Sequence, residues 1–191
     1  MKSLMWNLTG SIIQYADTVG TSKEKPHILK DFQFSALRLD ISTVRAENYL
    51  SDVRKISRGR VKSCISSLYI FQEYGIRNIL FVMYDENRKA VGAEIHGSTK
   101  GGRFIGIAEN PKYGYGFNII YGKPKQIYFF ESAIDLLSFL EIHMGKDIFV
   151  YNKAFVSMGG LKENVVKHMS GLYTYNIILC VDNDEAGQKF V

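Results

Sequence analysis

The sequence predicts an α/β protein in which a parallel sheet flanked by helices follows a smaller α+β module. Three observations lead there. After Lys125, short apolar runs alternate with helix-patterned segments, and such alternation implies a parallel sheet with right-handed crossovers. Before Lys125, apolar runs lie close together across polar turns, the pattern of a hairpin. Gly114, Gly116 and Gly122 punctuate the join. The resulting organisation is an irregular N-terminal arm at 1–40, an α+β module at 41–124 and the parallel-sheet domain at 125–191.

Residues 1–40 mix polar and apolar residues without a sustained period, so no regular element is expected there. From Thr43 the spacing turns helical. Val44, Tyr49, Leu50 and Val53 fall near one face, with Ser42 or Thr43 as the cap. A second helix is expected over 57–68, with Val61, Cys64, Ile65 and Leu68 inward. Residues 69–72 read as a short strand. Residues 78–84 and 90–96 read as a hairpin across Asp85-Glu86-Asn87-Arg88-Lys89, and 101–107 as a further strand. Downstream, strand 127–130 leads to helix 133–144, which Gly145 ends. Strand 154–158 passes through Gly159-Gly160 into helix 161–169, and strand 176–181 runs into a last helix. The chain stops at Val191 inside that helix, which predicts a shortened form of the domain.

Composition narrows the class. With 46% hydrophobic residues and 3 Pro in 191, the chain is of globular rather than disordered type. A net charge of +5 and a pI near 9.1 favour a polyanionic partner. The 12 Tyr and 12 Phe supply core volume and stacking surface for bases. Cys64 and Cys180 form no CxxC pair and the four histidines lack ligand spacing, which excludes a zinc site. They read as reduced thiols of a cytoplasmic protein. No apolar stretch approaches the ~20 residues of a membrane helix, and no secretory segment follows Lys2. Arg54, Lys55, Arg58, Arg60 and Lys62 crowd the first two helices, and Lys100 and Arg103 sit on a loop. They are either a solvated basic face or a surface for nucleic-acid phosphates.

Three acids are placed with more purpose. Glu131 ends one apolar run, and Asp182 and Asp184 end another. In an open α/β sheet, ligands bind outside the carboxyl ends of the strands. Carboxylates converging there repel unless a cation lies between them, and oxygen-only ligands suit magnesium or manganese. Each acid alone has a structural reading as a helix cap or first-turn charge. Asp135 sits one turn after Glu131 on the same helical face. A calcium loop at 182–187 is excluded, because its fifth position is Ala186 and a strand precedes it.

The run Phe130-Glu131-Ser132-Ala133-Ile134-Asp135-Leu136-Leu137-Ser138 resembles the first motif of the Toprim domain, shared by bacterial-type primases, type IA and II topoisomerases and some nucleases. Val181-Asp182-Asn183-Asp184-Glu185-Ala186-Gly187 resembles its second, and Val156-Ser157-Met158-Gly159-Gly160 the strand and glycine turn between them. Residues 44–122 are similar to the companion module that precedes Toprim-like domains in proteins of plasmids and integrative elements. The resemblance implies that Glu131 is a general acid/base or a metal-orienting carboxylate, that Asp182 and Asp184 hold Mg2+ (or Mn2+), and that Asp135 supports them. It implies a primase-like nucleotidyltransferase acting on single-stranded DNA and nucleotides in mobile-element replication or transfer, beside other replication or mobilisation proteins. The alternatives are a Toprim nuclease or a catalytically idle nucleic-acid-binding module. No Cys/His zinc ribbon precedes the module, and the fold's final strand and helix are not among these residues.

Overall fold

The computed structural model of the protein describes residues 31–99, 104–143, 150–173 and 176–191. Most of the expected N-terminal arm, together with Lys100, Arg103 and Gly145, lies outside the described residues.

The first sheet is antiparallel, with β1 (Ile70–Gln72), β2 (Ile79–Tyr84), β3 (Ala90–His96) and β4 (Ile105–Ile107) in chain order. The β2–β3 hairpin closes on Asp85, whose Oδ1 accepts the amides of Asn87 and Lys89 at 3.0 Å each. That side-chain turn fixes the register in which Leu80 faces Ile95. All six residues of β2 are buried, so both faces of this strand are covered.

The second sheet has the order β5-β7-β6-β8, built from β5 (Asn118–Tyr121), β6 (Gln126–Phe130), β7 (Lys153–Ser157) and β8 (Asn176–Cys180). β6 runs parallel to β7 on one side and β8 on the other, which is the expected parallel sheet. α3 (Ala133–His143) and α4 (Glu163–Leu172) are its crossovers, and α5 (Glu185–Phe190) follows β8. Ile134, Leu136, Leu137 and Leu140 give α3 its buried side. Phe139 of α3 lies against the rings of Tyr128, Phe130 and Phe155.

The sheet also extends upstream of Lys125, because β5 pairs antiparallel with β7. No strand is expected at 118–121 from sequence, since glycines flank a run of four residues. Gly116 is required there: a Cβ on it would lie 1.9 Å from the Ser157 carbonyl oxygen. The missing side chain lets the chain pass the end of β7 and enter the sheet. One hydrophobic cluster then joins both sheets, running from Leu50 and Phe81 through Phe117 and Phe129 to Phe155 and Val165.

The N-terminal helices differ in phase from the expected pattern. α1 (Val44–Asn48) continues into a wide turn over Tyr49–Val53, where the Arg54 amide reaches back five residues to Tyr49 O. The wider turn shifts the apolar face. Ala46 and Leu50 point inward, while Val44 and Val53 are exposed. α2 (Arg58–Ser66) stops before Leu68, which has a φ of 62° and is likewise exposed.

α2 is tied to α3 by charge. Arg60 Nε donates to Glu141 Oε2 at 2.7 Å, and Ser57 Oγ to the same oxygen at 3.0 Å. Burial opposes the Glu141 charge, but the Arg60 and Ser57 hydrogen bonds together outweigh it and lower its pKa. A lowered carboxyl contributes stability above its unfolded pKa and loses it as pH falls through the folded value. Glu141→Gln is therefore expected to cost about 1–2 kcal/mol at neutral pH. The gap from the parent should close in urea melts below about pH 4, near the ordinary glutamate value. An equal gap at both pH values would show that the pair contributes through packing alone.

Candidate active site

Three parallel strands end at one level. The register sets Phe130 opposite both Ser157 and Cys180, so the segments after β6, β7 and β8 leave the sheet side by side. Backbone bonds lace these exits together. Met158 N donates to Phe130 O at 2.8 Å, and Gly160 N to Glu131 O at 2.7 Å. Gly159 and Gly160 have φ of 63° and 104°, a region in which glycine carries no side-chain penalty.

Above the exits lies a cleft of about 510 Å³, lined among others by Arg54, His96, Glu131, Asp135, Gly160 and Asp182. Glu131 and Asp182 meet directly: the Asp182 amide donates to Glu131 Oε1 at 2.8 Å. Asp135 is half-buried in the first turn of α3, where its Oδ2 accepts the Ser132 hydroxyl at 2.6 Å. Ser132 Oγ in turn accepts the Asp135 amide at 3.3 Å. This reciprocal pair satisfies the start of the helix.

Asp184 is differently engaged. Its Oδ1 accepts the Gly187 amide at 2.8 Å and caps α5. A Cβ on Gly187 would lie 2.0 Å from the Asp182 carbonyl oxygen, so the glycine lets α5 close against the residue that carries the cleft's second acid. Among the described residues, no three His, Cys, Asp or Glu side chains stand grouped for a metal ion. Glu131, Asp135 and Asp182 share one cleft, and Asp184 stands beside it as a cap.

The basic residues divide. Arg54 lines the cleft, and Lys55 and Lys62 are exposed. Arg58 binds Asp52 at 2.8 Å, and Arg60 is held by Glu141. Lys100 and Arg103 lie outside the described residues. The sequence reading passed over His96 on the cleft wall and, behind it, Glu94, which is fully buried. The available signal was a glutamate inside an apolar strand, since a charge at such a position is rare unless paired.

Residues 128–191 match a family described as Toprim-like. This chain carries a Toprim-like domain. Residues 48–124, preceding it, match a family of unknown function, DUF3991. An uncharacterized protein of Bacillus anthracis is 32% identical over 163 residues, 77% of this chain and 45% of that protein. The chain thus spans less than half the length of that relative. Among solved structures, the primase fragment of the bacteriophage T7 primase-helicase is similar with a TM-score of 0.55 and 20% identity, over 90% of this chain and 66% of that one. The DnaG catalytic core is similar with a TM-score of 0.51 and 12% identity, over 78% of this chain and 58% of that one. At such identities the likeness is one of fold: the Toprim-like domain and its companion have a primase-like fold. No helix among the described residues is long and apolar enough to cross a membrane.

The different engagement of the two aspartates yields a stability test. Asp184→Ala removes a helix cap and should lower stability by about 1 kcal/mol. Asp182→Ala removes an exposed side chain while the backbone amide that bonds Glu131 stays, and should shift the melt by less than about 0.5 kcal/mol. Denaturant melts of both variants in metal-free buffer check the contrast, and equal losses would refute it.

Proposed function

We propose that the protein is a primase-like nucleotidyltransferase that uses magnesium, acts on single-stranded DNA and serves the replication or transfer of a mobile element. The observation that carries this reading is the meeting of Glu131 and Asp182 at the shared carboxyl end of β6 and β8, in a cleft that also takes in Asp135 and Arg54. The donor set is made of carboxylate oxygens alone, which fits Mg2+ or Mn2+ and not a soft metal. Asp182 and Asp184 would hold the cation, with Asp135 in support. Bound there, a divalent cation offsets the negative charge that gathers on the oxygens during displacement at phosphorus.

The chain's own groups supply the rest. Glu131 Oε1 is fixed by the Asp182 amide. Its other oxygen has no hydrogen-bond partner among the described residues and is the group that moves a proton to or from the reacting hydroxyl. Arg54, exposed at the cleft mouth, meets a phosphate of template or nucleotide. Lys55, in the loop before α2, and Lys62, on α2, are exposed and would extend that positive surface.

One observation favours a second reading. The Asp184 carboxylate is occupied by the Gly187 amide, as in a nucleic-acid-binding module whose site is idle. Primer synthesis from labelled ribonucleotides on a single-stranded template, with and without magnesium, separates the two. Incorporation that requires magnesium and falls at least about 100-fold in Glu131→Gln supports catalysis. Template cutting moves the reaction to phosphodiester cleavage, and binding without either leaves the idle module.

Binding itself should weaken steeply with salt, because each neutralised phosphate releases counterions. Arg54→Ala is expected to reduce the slope of log affinity against log salt by about 1. Arg60→Ala should leave the slope unchanged and lower stability instead. Filter binding across a salt series measures both, and a flat response in the parent protein would remove nucleic acid as the partner.

A further inference from the structure

We propose that Glu94, buried between the two sheets, is the positioning residue that sets the main chain of Glu131 in the cleft; its catalytic relevance rests on the function proposed above. Glu94 lies on β3, outside both acidic motifs, and is 0% exposed. Two donors from elsewhere in the chain, and the ring of His96 two residues along the same strand, converge on its carboxyl group. The Ala133 amide, at the start of α3, donates to Oε1 at 2.8 Å. Ser157 Oγ, at the end of β7, donates to Oε2 at 2.5 Å. His96 Nε2 stands 2.6 Å from Oε1 and donates when that nitrogen carries the proton.

These contacts bracket Glu131 from both sides. Ala133 is two residues after it, and its amide is held by Glu94 directly. On the other side Ser157 Oγ also accepts the Gly159 amide at 3.2 Å. The next residue, Gly160, donates its amide to the Glu131 carbonyl at 2.7 Å. His96, the third partner, lines the cleft wall. One carboxyl group of the antiparallel sheet therefore ties the glycine turn, the helix start and the wall to each other, and the acid that sits among them inherits their position.

A purely structural role is the weaker account. A buried polar group of this kind is seldom the most stable choice, since apolar residues of similar volume often serve as well or better. What an apolar residue cannot do is accept the first-turn amide of α3 and the Ser157 hydroxyl at the same time. An acceptor at the N-terminus of this 11-residue helix also satisfies one of the first-turn amides that have no partner within the helix.

The test is amide hydrogen exchange of the whole chain, comparing the parent with Glu94→Gln. Gln keeps the volume but sets an NH2 group where a carboxyl oxygen accepts. Exchange at 131–135 and 158–160 should accelerate by about tenfold or more while β2 and the far end of β6 stay protected, a local opening rather than a global one. In parallel, Mn2+ titration should show weaker binding by about 10–100-fold, the size of effect that groups supporting metal-holding side chains produce. Unchanged exchange at 131–135, or uniform acceleration through both sheets, overturns the proposal. If the parent binds no Mn2+, the proposed function fails while the exchange comparison still decides the role of Glu94. Should Glu94→Gln not fold, Ser157→Ala keeps the carboxyl and removes one donor. It should loosen 158–160 alone, and protection there equal to the parent's sinks the idea.

Discussion

The placement of every acid in the cleft depends on the register of β6 between its two parallel neighbours. Phe130 stands level with Ser157 on one side and Cys180 on the other. Because side chains alternate across a strand, a slip of one residue in either pair would turn the apolar set of that strand to the opposite face. The buried rings of Phe129 and Phe155 hold the register against such a slip. With the strands locked, the exits of β6 and β8 are adjacent, and a bond as short as 2.8 Å between the Asp182 amide and Glu131 becomes available. The cleft thus rests on core packing one residue below it.

The acids around the strand exits are each engaged within the folded chain. Here each is given a donor of its own: Glu131 takes an amide from the β8 exit, Asp135 the Ser132 hydroxyl, and Asp184 the Gly187 amide. Hydrogen bonds to an ionised group are among the stronger ones.

How much of this could be read from the sequence varied with the range of the interaction. β6, α3 and β8 were legible, because Gln126–Phe130 and Asn176–Cys180 are compact apolar runs and Ser132 with Asp135 marks the helix start. The acids at the strand ends were legible for the same reason. β5 was not: its four residues become a strand only because Gly116 lets them reach β7. The inward face of α1 was misjudged, since nothing in Val44 to Val53 announces the wide turn that rotates it. Arg60 read as a surface cation, yet its partner Glu141 lies 81 residues away. Glu94 likewise gains meaning only through donors supplied by Ala133 and Ser157, 39 and 63 residues distant.

The antiparallel strand β5 has a consequence for how the molecule divides. It belongs by sequence to the segment before Lys125, yet it is the outermost strand of the second sheet, shielding β7. A fragment begun at Lys125 would strip it away and leave Ala154, Phe155 and Val156, all fully buried in the intact chain, along an unpaired margin. Such a margin is a template for sticking to other chains. Cutting instead before Gly116 would keep β7 covered but remove the half of the shared core that Leu50 and Phe81 provide. The two family segments meet in sequence near residue 124, but as a folding unit they have no seam there.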